Sequence, residues 1–283
     1  MSNSPIRIVT DSACDVPDSL AQQLGITVIP VYVNVGQESY LDGVELTRAE
    51  FYTQLPHYDP YPTTAAPSTG TFTAVYQQLA DEGATDIISI HIASKLSNTY
   101  QAARLGAESV KGARVHLFDS QQITLGGGLL AITAAEAVMA GHSVSTILAQ
   151  LEQLCPHTHV FGMLDTLESL RRSGRVSWAQ FGLGTLLQIK PIMRIHEGEV
   201  AVVARVRTKS RSQQTMLTMI EELAPFAKLG VIHVAAPETA VILQEKAQHL
   251  FPSGQPLPIT PITPAIGVHL GLGAVGFACI KQV

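Results

Sequence analysis

Charge is scarce in this chain. Asp, Glu, Lys and Arg together make up 14% of its 283 residues, and the net charge is −5. So small and acidic a balance excludes a global attraction to nucleic acid or to an anionic membrane. Cysteine is scarcer still. Cys14, Cys155 and Cys279 are widely separated and form no CxxC pair, which argues against a disulfide framework or a structural zinc site. Met1–Pro5 lacks the basic start and apolar run of a signal peptide. The longest apolar stretch, Gly126 to Gly141, carries Glu136 and is too short to span a bilayer. These absences lead to the expectation of a soluble protein in a reducing compartment, the cytoplasm. P-loop, GxSxG, HExxH and kinase signatures are missing as well.

What the chain does have is apolar material, 46% of its residues, enough for two cores of ordinary size. Up to about residue 155, β-branched runs alternate with helical segments. Strands are expected at Ile6–Val9, Ile26–Val35 (bent at Pro30), Asp86–Ile92 and Val115–Phe118. Helices are expected at Pro17–Gln23, Thr71–Leu79, Asn98–Val110 and Gly127–Ala140, and Thr47 with Glu50 forms a capping box. Asp59–Gly70, rich in Pro, Thr and Gly, reads as a loop. This alternation specifies a parallel, doubly wound sheet. Beyond residue 155 the strands cluster at Val160–Leu164, Leu187–Ile195 and Glu199–Val206, with a hairpin turn at His196–Glu199. A helix over Gln213–Phe226 follows, then strand, helix and strand. The expectation is an α/β protein of two domains. Residues 1–155 form the parallel one and 156–283 an α/β domain with a mixed or antiparallel sheet, with a ligand cleft between them.

Ligands of open parallel sheets sit outside the carboxyl ends of the strands. Three expected strand ends carry hydroxyls or acids there: Asp11-Ser12, Ser94 to Ser97, and Asp119-Ser120. The Thr63–Ser68 loop adds more. Each residue also suits plain helix capping, but a shared habit at three ends points to a polar pocket. Ser97-Asn98-Thr99-Tyr100 opens a helix, where free amides and the positive helix end hold an acidic group. Ser97 is the first candidate contact.

The GxGxxG at 271–276 is followed by only seven residues, too few for the helix a dinucleotide site needs. Its glycines instead surround His269 in what reads as a glycine-rich turn. Cys155, His157 and His159 alternate and would share a strand face, but no fourth metal ligand is evident and Pro156 interrupts. No metal or cofactor is expected. Nine of the 18 Lys and Arg fall between Arg171 and Arg211, against only two acids, Glu197 and Glu199. Arg205, Arg207, Lys209 and Arg211 would lie on one face if extended. Such a patch guards a strand edge or docks an acidic partner. It lacks the regular aromatic interleaving of single-strand nucleic-acid binding.

Together these residues resemble the DegV family nearly end to end. The resemblance rests on Val9-Thr10-Asp11-Ser12 with Asp15, Tyr40-Leu41-Asp42-Gly43, Thr63–Ser68, Ala93–Gln101, Asp165–Arg175 and the glycine-rich segment around His269. It implies one long-chain fatty acid, C14–C18, buried between two domains. It implies a FakB-type binding subunit that presents the carboxylate to a separate ATP-dependent fatty acid kinase. On this resemblance Thr64 and Ser97 match the hydroxyls that hold the carboxylate, and His269 the histidine near the head group. Arg172 and Arg205 match the kinase-docking face. The chain departs from the family pattern at Ala65-Ala66 (usually Ser-Gln), Asn98 (usually Gly) and Leu272 (usually Pro). Asn98 stands beside the anion site, where it either adds a hydrogen bond or crowds the head group. The competing expectations are a hydrolase or transferase for a small acyl or anionic substrate, using Ser97 with His269, and a ligand-responsive regulator.

Overall fold

The computed structural model describes residues 5–174, 189–252 and 257–283. Met1–Ser4, Arg175 and the expected strand start at Leu187 lie outside the described residues. In the first part of the chain the strands are β1 (Ile6–Asp11), β2 (Ile26–Ile29), β3 (Tyr32–Val35), β4 (Glu38–Leu41), β5 (Thr63–Ala65), β6 (Asp86–His91) and β7 (Arg114–Asp119). The helices there are α1 (Asp18–Leu24), α2 (Arg48–Gln54), α3 (Thr69–Asp81), α4 (Thr99–Ala107), α5 (Thr124–Met139) and α6 (Val144–Leu154). An all-parallel sheet runs in the order β2-β1-β6-β7. β6 is buried along its whole length, as the unbroken Ile-Ile-Ser-Ile run requires of an interior parallel strand. A small antiparallel sheet, β4-β3-β5, sits beside it.

The rest of the chain supplies β8 (Thr158–Met163), α7 (Glu168–Ser173), β9 (Lys190–His196), β10 (Glu199–Val206), α8 (Lys209–Glu221), β11 (Phe226–His233), α9 (Pro237–Lys246), β12 (Thr260–Pro261), α10 (Pro264–Leu270) and β13 (Val275–Lys281). Its sheet is mixed, in the order β10-β9-β8-β13-β11-β12, with only β11–β12 parallel. The chain is thus an α/β protein with a parallel sheet and a separate mixed sheet.

Helix α5 lies between the two sheets. Only Glu136, Val138 and Met139 escape burial, and a helix apolar on every side is a core helix. One continuous apolar cluster joins Ile8 and Ile88 of the first sheet, Leu129 and Ile132 of α5, and Ile195 and Ile280 of the second. On the far face of the first sheet, Phe72, Tyr76 and Ala103 of α3 and α4 cover Val9 and Ile87. On the far face of the second, Met216, Ile220 and Leu243 of α8 and α9 cover Phe161 and Phe277. At the exposed end, Lys228 of β11 pairs with Glu136 of α5 at 2.7 Å.

Several boundaries differ from expectation. The 59–70 loop contains β5, which pairs with β3, and α3 begins at Thr69 behind the Ser68 cap. The helix expected over Gln213–Phe226 runs Lys209–Glu221 instead, because Thr208 caps it by accepting from the Arg211 amide. Phe226 opens β11. His269 lies in the last turn of α10 rather than in a glycine turn. Cys155 and His157 belong to a 3-10 turn, so only His159 reaches β8. β10 ends at Val206, which separates Arg205 from the helical Lys209 and Arg211. The hairpin turn is as expected, with both Glu197 and Gly198 at positive φ.

A Cβ on Gly128 of α5 would run into the carbonyl oxygen of Cys14, just past β1. Gly128→Ala is therefore expected to lower unfolding free energy by about 1–3 kcal/mol, although alanine is the better helix former. Urea unfolding reads this; a stabilised variant would mean that α5 does not seat on the β1 end as described.

Candidate functional site

β1 connects to β2 on one side, while β6 and β7 extend the sheet on the other, so the strand order reverses between β1 and β6. Crevices for ligands open at such a reversal. A chamber of about 570 Å³ lies there, within the range of small-molecule pockets. Residues just past four strand ends form one wall: Ala13 after β1, Val31 after β2, Ile92 after β6 and Ile123 after β7. Met193, Ile195 and Val200 of the second sheet face them, with Leu170 of α7 and Ala265, Ile266 and Leu270 of α10.

The polar part of the lining comes from Thr64, Ser94, Lys95, Ser97, Asn98 and His269. Thr64 Oγ1 and His269 Nε2 share a hydrogen bond of 3.2 Å. Pairing of Val33 with Thr64 positions the threonine, and the C-terminal turn of α10 positions the imidazole. Ser97 Oγ lies 2.8 Å from Thr99 Oγ1 and accepts from the Thr99 amide. Asn98 occupies the N-cap position of α4 without a side-chain cap bond. Thr64, Ser97, Asn98 and His269 all line the chamber.

The β9–β10 hairpin closes another side. The Gly198 amide donates to the Gln121 carbonyl at 2.8 Å, and Lys95 Nζ donates to the Glu197 carbonyl and to Glu199 Oε1. Lys95 therefore spends its charge on the hairpin. Arg172 stacks over the Tyr61 ring at 5.2 Å, and the Tyr61 hydroxyl donates to the Val268 carbonyl at 2.8 Å. Neither Arg172 nor Arg205 lines the chamber; both are exposed, and Arg205 lies on the edge strand β10.

Behind the wall lies a buried acidic cluster that sequence reasoning did not assign. Asp15 accepts from the Thr124 hydroxyl (2.6 Å) and the Thr263 amide (2.8 Å), with Arg48 at 4.0 Å. Asp42 accepts from the hydroxyls of Ser12 (2.7 Å) and Thr263 (2.5 Å). Burial raises the Asp15 pKa to about 7, with Asp42 adding to it; the bonds from Thr124 and Thr263 and the charge of Arg48 oppose the rise. Burial raises Asp42 as well. Both acids stood in motifs quoted from the sequence, but nothing in the sequence showed that Thr263, 248 residues from Asp15, would meet them.

A second buried chain runs Tyr76–Ser89–His91–Asp11, with successive distances of 2.7, 2.7 and 2.9 Å. Ser, His and Asp are ordered here as a nucleophile, base and orienting acid would be, yet all four residues are 0% exposed. No substrate reaches them, and the chain stiffens the sheet. Of the three hydroxyl-bearing strand ends, only the Ser94–Ser97 segment lines the chamber. Asp11 and Asp119 accept from backbone amides, and Ser12 bonds Asp42. Among the described residues no cluster of three or more metal-ligating side chains occurs, and no helix is long and apolar enough to cross a membrane.

A mainly apolar chamber at a sheet reversal, with hydroxyls and an imidazole in its lining, has the make-up of a small-molecule pocket. The chain belongs to the DegV family: the model for uncharacterised proteins of that family matches residues 5–282. It is 33% identical to a DegV domain-containing protein of Listeria innocua over 97% of this chain and 98% of that one. A solved DegV family protein of Thermus thermophilus, described with fatty acid binding, superposes with a TM-score of 0.87. Identity there is 32%, covering 98% of this chain and 99% of that one. DegV of Bacillus subtilis, described as a fatty acid binding protein, gives 0.86 at 30% identity over 99% and 100% of the two chains.

A carboxyl whose folded pKa lies above its unfolded value favours folding in its protonated form. That contribution is complete below about pH 4 and is lost as pH rises through about 7. The stability of the wild type relative to Asp15→Asn should therefore fall between pH 4 and pH 8, by on the order of a few kcal/mol. Denaturant unfolding across that range measures the difference; a constant difference would place the Asp15 proton elsewhere.

Proposed function

We propose that this protein binds one long-chain fatty acid in the chamber and presents its carboxylate to a separate ATP-dependent fatty acid kinase. The observation that carries the reading is one chamber with a mainly apolar lining and a few polar groups, among them Thr64 and His269 bonded to each other. DegV relatives above 25% identity that are described as fatty acid binders support it. Burying 12 to 14 methylenes contributes on the order of 10 kcal/mol before ordering costs, so the head group needs only a few hydrogen bonds to fix register.

In this reading the hydroxyls of Thr64 and Ser97 donate to the carboxylate, while the Asn98 amide and the His269 imidazole flank it. Hydroxyl donors suit a carrier that must release its cargo. The protein itself is not a catalyst and uses no cofactor or metal. Arg172 and Arg205, on exposed ground outside the chamber, serve as kinase-docking residues. The two sheets correspond to domains 1–155 and 156–283, the ligand lies in the cleft between them, and the protein works in the cytoplasm. The hydrolase or transferase alternative would need Ser97 activated by His269, whereas the Ser97 hydroxyl bonds Thr99 and His269 bonds Thr64.

Titration with C14–C18 acids tests the carboxylate assignment. The double variant Thr64→Ala/Ser97→Ala is expected to bind at least about tenfold more weakly, since hydrogen bonds to a charged group contribute roughly 1.5–3 kcal/mol each. Unchanged affinity would remove the assignment. Arg172→Ala and Arg205→Ala should leave acid affinity intact while slowing acyl phosphorylation by the kinase; equal phosphorylation rates would discard the docking face.

A further inference from the structure

A second, smaller space of about 20 Å³ lies against the second sheet, beside the start of α5. Its walls are apolar side chains and glycines, apart from Thr124, whose hydroxyl is committed to Asp15. Ile123, Met193, Ile195 and Leu270 line both this space and the main chamber, so these four side chains form the partition between them.

The sheet explains why the space exists. Gly276 of β13, Gly162 of β8 and Met193 of β9 are direct cross-strand neighbours and stand on one face of the pleat. The missing side chain of Gly162 leaves a hollow strip in the sheet, bounded by Met193 on one side and by the close-packed Gly276 on the other. The glycines have different causes. A Cβ on Gly276 would run into the Phe161 carbonyl oxygen, so close strand approach demands glycine there. A Cβ on Gly162 would meet nothing within 4 Å, and its backbone is not in the left-handed region. Gly162 is only half-buried although β8 is an interior strand. The backbone does not require glycine at 162, and its missing side chain leaves space.

We infer that this strip is the terminus for the methyl end of the acyl chain and that Met193 is the movable gate into it. The inference rests on the fatty-acid reading of the main chamber and adds its length selection. A methionine has three rotatable side-chain bonds and repacks readily. The strip has room for about one water-sized group, and displacing the thioether lengthens it further. Shorter acids end against Met193; longer ones push it aside and lie along Gly162.

Competitive displacement of a fluorescent fatty acid by saturated C12 to C20 acids tests this in the full-length protein. Gly162→Val fills the strip, and the affinity for C18 relative to C14 should fall about tenfold, roughly two methylenes' worth of burial. Met193→Ala removes the gate and should raise the same ratio by a similar factor. Gly162→Ala adds one methyl group in open space and should shift the ratio in the direction of Gly162→Val. It keeps the test decisive if the buried Met193→Ala variant does not fold. An identical C18-to-C14 ratio in wild type and the folded variants, or equal loss at every length, overturns the gate while leaving fatty acid binding intact. A wild type that binds no acid of any length overturns the binding reading and the gate with it.

Discussion

Everything in the molecule is arranged around the seating of α5 between two sheets. A helix with an apolar surface on every side must be covered on every side, and a parallel sheet alone covers one face. The second sheet supplies the other. Close approach is set at the first turn, where Gly126 faces Val160 of β8, Gly127 faces the Cys14 thiol and Gly128 faces the Cys14 carbonyl. Side chains there would hold the helix away from β1 and β8 together. The chamber lies just beyond the N-terminal end of the helix so held. Ile123, the residue before α5, stands on the wall of the space that remains.

The chamber therefore follows from the packing, and the buried acids keep its wall in place. α10 carries Ala265, Ile266, His269 and Leu270 into the chamber. Its Thr263 cap residue bonds both Asp15 and Asp42, which belong to the first part of the chain. Isolated buried carboxylates are costly; these share donors from Ser12, Thr124 and Thr263, and burial favours their protonated forms. The result joins α10 to the parallel sheet by hydrogen bonds at one end, while Tyr61 bonds the Val268 carbonyl at the other. The imidazole of His269 is thereby held within hydrogen-bond reach of Thr64.

Much of this was legible in the sequence where the cause is local. The β6 run, the capping box at Thr47 and Glu50, the Glu-Gly hairpin turn and the helix opening at Ser97–Thr99 depend on neighbours a few residues apart. So does the alternation that fixes the fold class. Thr64, Ser97, Asn98 and His269 could be named because each stands in a short motif that resembles the family, and the structure brings all four to one chamber. What was not legible depends on distant partners. β5 is a strand because β3 lies beside it, and Thr208 overrides the expected start of α8 by capping earlier. Thr263, Met193 and Gly162 acquire meaning only once β8, β9 and α10 are packed. The hydroxyls at Ser12 and Ser120 show the limit of counting: they resemble pocket residues in sequence but are spent on Asp42 and on the Gln122 turn.

The central claim is that the space left beyond α5 is filled by an acyl chain. Mass spectrometry of the protein under native conditions, followed by extraction of lipid after denaturation, tests it most directly. The account predicts one fatty acid per chain, released only on unfolding and replaced stoichiometrically when a C14–C18 acid is added to stripped protein. A protein that carries no lipid and takes up none on addition would contradict it, leaving the fold without the proposed ligand.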